Sequence, residues 1–189
     1  MKKNKIKFDV KFSNMPFLNV RNEFKINYRF VNSNSLDTYL ALPHGPYVTP
    51  YGTWTASLET LLTIVLQRAI LGVESYLPIA LKCKAHDLLV ATDELVGEID
   101  NAHGANNLFH RIPKSIDPSL SLCTSDNGLY QETLDFYEFV RNPLFHGREI
   151  SEVTPESFRA SFEHIRRIYQ WIDTWYKSEA QQSFKQAGA

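Results

Sequence analysis

From Leu58 onward the apolar residues of this chain recur every three or four positions, and that period decides what the chain can fold into. Leu58, Leu61, Leu62, Val65, Leu66, Ala69, Ile70 and Val73 form the stripe of a strongly apolar helix that the sequence predicts to end near Pro78. Leu81, Ala85, Leu88, Leu89, Leu95, Val96 and Ile99 mark a second helix with an acidic outer face, and a third is predicted over Leu129–Val140, with Leu134, Tyr137 and Val140 turned inward. Thr154-Pro155-Glu156 reads as an N-cap, a first-position proline and a first-turn acid, and it opens a last helix whose apolar face holds Phe158, Phe162, Ile165, Tyr169, Ile172 and Trp175. Such helices predict an antiparallel four-helix bundle.

Before Leu58 the period is two. Ile6, Phe8, Val10 and Phe12 alternate with charged residues, and Phe24, Ile26, Tyr28 and Phe30 repeat the alternation, so both stretches read as half-buried strands. An isolated hairpin is marginal in water, so these strands are expected to pack on the helices or on another chain. Residues 32–53 read as a connecting segment, and residues 101–128 as a long loop whose His103 and His110 are candidate substrate contacts or merely solvated polar groups. The expected fold is mainly α: residues 1–53 a β-hairpin extension with its connection, 54–180 the helical bundle, 181–189 a flexible tail.

With 43% apolar and 13% aromatic residues, the chain can bury a sizeable core as one domain. Cys83 and Cys123 stand apart without metal-ligand spacing, which argues against structural zinc and a disulfide scaffold; no metal or cofactor is expected. No secretory leader follows the opening lysines, and the apolar run Leu61–Leu66 is too short to span a bilayer, so a soluble cytoplasmic protein without membrane association is expected. The net charge of −1 hides an asymmetry, because residues 1–30 carry +6 and the remainder −7. A basic segment beside an acidic body can gather phosphates, or can be the solvated face of a strand.

The chemistry concentrates at Arg141-Asn142-Pro143-Leu144-Phe145-His146-Gly147. Cleaving RNA without a metal requires a base for the 2′-hydroxyl, an acid for the departing oxygen and a fixed cation for the phosphoryl charge, and these residues supply an imidazole and a guanidinium. On an unbroken helix, residues five apart point about 140° away from one another, so Arg141 and His146 converge only if the Asn-Pro step unwinds the backbone. Arg159 and His164 share the spacing inside a helical stretch and read as coincidence. Trp54, Trp171 and Trp175 could stack on bases, but aromatic residues at helical spacing usually belong to the core.

The segment FYEFVRNPLFHG at the end of the third helix resembles the signature of the HEPN superfamily (higher eukaryotes and prokaryotes nucleotide-binding domain), an Arg, commonly a polar residue, then a His. The resemblance implies a metal-independent endoribonuclease leaving a 2′,3′-cyclic phosphate, of the kind found in toxin–antitoxin and antiviral systems, with RNA as partner. It implies that His146 is the general acid/base, Arg141 the phosphate clamp and Asn142 its hydrogen-bonding support. It also implies a homodimer with a composite site, with an antitoxin or other protein as a further partner. Glu138, one turn before Arg141, is placed to hold it by an i,i+3 ion pair, or is an exposed helix charge. Two readings stand against catalysis: a module that binds RNA, a nucleotide or a protein without cutting, and a structural role in which Arg141 caps carbonyls and His146 is a satisfied histidine.

Overall fold

The computed structural model describes residues 22–33, 47–49, 52–54, 58–146 and 154–176, and these are mainly helical. The elements are α1 (22–31), a short antiparallel pair β1 (Tyr47–Thr49) and β2 (Gly52–Trp54), α2 (Leu58–Asp87), α3 (Asp93–Asp100), α4 (105–116), α5 (Leu122–Ser125), α6 (127–146) and α7 (Pro155–Trp175).

The stripe from Leu58 does not stop at Pro78: α2 continues to Asp87, merging the first predicted helix with the start of the second. Proline removes one backbone bond and crowds the preceding turn, yet Tyr76, Leu77, Ala80, Leu81 and Ala85 on either side of it are all buried. That burial offsets the lost bond, at about 1.5–3 kcal/mol per large apolar side chain. The break comes instead at Leu88–Thr92, where Leu89 adopts φ 59°, and α3 follows, with the Thr92 hydroxyl accepting from the Leu95 amide. Over Thr63–Asp87, α2 is long and apolar enough to cross a bilayer by length and composition, unlike the short run the sequence suggested. Core helices meet that measure too, and 56% of the window is buried inside the protein.

The alternation at Phe24–Phe30 is not a strand, since residues 22–31 form α1. Phe24, Asn27 and Val31 are the buried residues, at helical spacing, and Ile26 is exposed. A polar residue at a core position hides the helical period and leaves the alternation visible. α1 is held on α7: Phe24 stacks 5.9 Å from Phe162, Tyr28 donates to Glu163 (2.7 Å), and Arg159 donates to the terminal Val31 carbonyl (3.1 Å). The other predicted strand, 6–12, and the tail from 181 lie outside the described residues.

Most of the predicted loop 101–128 is also helical. α4 contains a wide π-type turn at Asn107–Arg111, in which the Ile112 amide bonds to the Asn107 carbonyl. α6 contains another at Tyr137–Arg141, closed by the Asn142 amide on the Tyr137 carbonyl. Each wide turn ends on an arginine and is followed by X-Pro, in Phe109-His110-Arg111-Ile112-Pro113 and Phe139-Val140-Arg141-Asn142-Pro143. A proline in a helix has no N–H and its ring clashes with the carbonyl four residues back; one extra residue in that turn relieves the clash, so the helix passes through. Leu144 is then placed as though seven residues after Phe136 rather than eight, which keeps both on one buried face.

α7 opens as the sequence predicts, with Thr154 and Ser157 bonding reciprocally (3.1 and 3.0 Å) and Pro155 in the first turn. It packs along α2, and the single core between them takes in Phe109 of α4 and Leu129, Phe136 and Tyr137 of α6.

Candidate functional site

Arg141 sits at the end of the wide turn in α6 and reaches across to α2. Its Nε donates to Glu74 Oε1 (2.9 Å) and its Nη2 to Glu74 Oε2 (3.3 Å), while the Tyr137 hydroxyl donates to Glu74 Oε1 (2.8 Å). The guanidinium lies over two rings of its own helix, 4.7 Å from the Phe145 centroid and 5.6 Å from that of Tyr137. Tyr137, Arg141 and Phe145 thus form a column, with the cation between two π-faces. The hydrogen bonds to Glu74 hold Arg141 charged beyond its ordinary range, and burial with the Glu74 charge pushes the Tyr137 phenol well up.

Asn142 extends this arrangement, its Oδ1 accepting from Arg141 Nη1 (3.3 Å). An arginine only donates, so the amide must present its oxygen inward, which leaves its NH2 to donate outward. Of the five guanidinium donors, Glu74 takes two and Asn142 one, leaving a hydrogen on each terminal nitrogen. The Arg141 side chain is 25% exposed, so those hydrogens and the Asn142 amide can meet an anion from solvent.

His146 is elsewhere. It is exposed on the last turn of α6 and makes no hydrogen bond or ion pair among the described residues. The expected unwinding at Asn142-Pro143 does not occur, because the wide turn accommodates the proline and Asn142 stays helical at φ −65°, ψ −46°. Along a helical path Arg141 and His146 therefore diverge by about 140°. A single chain does not bring them around one phosphate.

Glu138 does not hold Arg141. It is exposed, and the wide turn carries i and i+3 out of the alignment they have on a regular helix, so Glu74 takes the arginine instead. Sequence reasoning missed Glu74, although the pair Phe-x-Arg-x-Pro signalled the unusual turns. His103 is exposed, whereas His110 places Nδ1 2.7 Å from the Ser121 hydroxyl, which caps α5. Trp171 is buried, with its indole donating to Ser125 (3.2 Å), and Trp175 packs on it at 5.6 Å, so both serve the core. Within FRASFEHIRR, Arg159 caps α1 and His164 is buried.

Among the described residues, no three His, Cys, Asp or Glu side chains gather to hold a metal ion. The arrangement can bind an anion, and it presents a titratable imidazole at a distance from that anion. No protein-family model, curated protein or solved structure matches this chain.

Proposed function

We propose that this protein is a metal-independent endoribonuclease of HEPN type, in which α2, α4, α6 and α7 correspond to the family's four-helix bundle. The observation that carries the reading is the Arg141–Asn142 receptacle: one edge of the guanidinium is fixed by Glu74, and the remaining donors and the Asn142 amide are directed at whatever anion approaches. Preorganised donors of this kind stabilise charge that develops on a phosphoryl group. His146 supplies the proton chemistry.

Because Arg141 and His146 diverge on one helix, the reaction is assigned to a two-fold dimer whose two copies of His146 divide the roles of base and acid. The enzyme acts in the cytoplasm on single-stranded or loop RNA, in a toxin–antitoxin or antiviral setting. Purified protein incubated with a mixed RNA pool and EDTA should leave 2′,3′-cyclic phosphate ends, and His146→Ala and Arg141→Ala should each slow cleavage by about 10²-fold or more. Specific activity should fall on dilution as the dimer dissociates. Equal residual cleavage in wild type and both variants would defeat the proposal.

A second reading, binding without cutting, is favoured by the neutralisation of Arg141: Glu74 already balances its charge, and the chain after residue 30 is net acidic. Salt-dependent RNA retention with no cleavage would select it.

A further inference from the structure

A groove of about 410 Å³ runs between α2, α6 and α7. Leu66, Phe136, Val140, Leu144 and Phe158 line it, and Phe139 stands beside them 64% exposed. Three polar groups interrupt this apolar lining. His164 is only 8% exposed; its Nδ1 lies 3.8 Å from Glu132 Oε2, and its Nε2 is buried without a hydrogen-bond partner. Glu132 is shared with Arg167, while Asp135 is exposed and forms no ion pair among the described residues.

These groups define what a ligand must bring. A carboxylate beside Nδ1 favours the tautomer with its proton there, so Nε2 is a lone pair that only a donor can satisfy. A neutral hydrocarbon would leave that acceptor unmade, which costs stability in a buried site. An anion would meet Asp135 and Glu132, two carboxylates against the single charge of Arg167. The volume lies within the range of small-molecule clefts.

We propose that the groove binds a small organic cation, an aryl or branched-alkyl amine whose apolar part lies among Phe136, Leu144 and Phe158, with an N–H offered to His164 Nε2 and its charge in the field of Asp135. The exposed Phe139 ring adds a π-face for the same ammonium. This site is separate from the Arg141 receptacle and does not depend on the nuclease reading.

Three probes of one shape test the charge: phenethylamine, 2-phenylethanol and 3-phenylpropionate, titrated calorimetrically into the full chain. Phenethylamine should bind about fivefold tighter than the alcohol, as a partly solvated ion pair provides, and the carboxylate should bind weakest. Asp135→Asn should bring the amine to within about twofold of the alcohol while leaving the alcohol unchanged. Ala160→Trp, an exposed position at the groove, should abolish binding of both with the helical circular dichroism intact. Long-range ¹H–¹⁵N spectra of the wild type should show the His164 Nε2 resonance moving on addition of the amine. The proposal is overturned if the carboxylate binds as tightly as the amine, or if neither substitution changes amine binding. It is equally overturned if none of the three probes binds at millimolar concentration.

Discussion

Arg141 and His164 are two basic groups packed against different faces of α6, and they have opposite fates. Arg141 keeps its charge because Glu74 and Asn142 meet it with three acceptor contacts. His164 lies deeper, its nearest carboxylate stands at 3.8 Å, and burial pushes its pKa down to about 4, so it is neutral at physiological pH. The lesson is that burial alone does not decide whether a charge persists; the supply of partners at bonding distance does. One face of the helix is therefore suited to anions, and the other excludes them.

The largest expected consequence is a pH effect. Unfolded, His164 takes a proton near its ordinary pKa of 6.5, whereas the folded protein resists protonation until about 4. The unfolded state binds more protons in that window, so stability should decline as pH falls from 6.5 to 4 and level off below it, by about 3 kcal/mol in all. Denaturant titrations across that range should show the decline in wild type and a flatter profile in His164→Gln. Parallel profiles would show that burial is not what keeps this imidazole neutral.

On the opposite face, Glu74→Gln should cost about 2 kcal/mol, less than a fully buried pair because Arg141 is partly solvated. Glu138→Gln should lie within about 0.5 kcal/mol of wild type. Equal losses in the two variants would mean that Glu74 does not hold the guanidinium. The smallest effect concerns the ring beneath Arg141: Phe145→Leu keeps an apolar contact and removes the π-face, and should lower stability by about 0.5–1 kcal/mol. Combining it with Arg141→Lys in a double-mutant cycle isolates that contribution, and strict additivity would remove the cation–π contact from the account.

Much of this was legible in the residues themselves. The helical stripe of α2, the Thr154-Pro155 start of α7 and the chemical character of Arg141, Asn142 and His146 all follow from short-range pattern. What escaped was set by partners distant in the chain. Glu74 is 67 positions from Arg141, and nothing local distinguishes it from any other acid on a helix. α1 was hidden by Asn27, a polar residue in a core position, and the persistence of α2 through Pro78 was decided by what lies against it. The two wide turns were within reach of the sequence, since Phe-x-Arg-x-Pro occurs at Phe109–Pro113 and again at Phe139–Pro143. The same local solution serves different ends, for Arg111 is exposed while Arg141 is held across the core boundary.

Those turns bear on how the molecule breathes. Pro143 brings no amide to bond the Phe139 carbonyl, and the turn before it is closed by the longer loop from Asn142 to Tyr137. Local opening begins where backbone bonding is sparsest and side chains are most exposed, and Phe139 at 64% exposure marks such a place. Amide protons after the turn should therefore exchange with solvent well before those of Leu129–Phe136, so that α6 opens as two cooperative units. Arg141 stands at the joint between them, and each opening of the distal unit, Asn142–His146, takes away its Asn142 contact and the Phe145 ring while Glu74 keeps hold of the guanidinium.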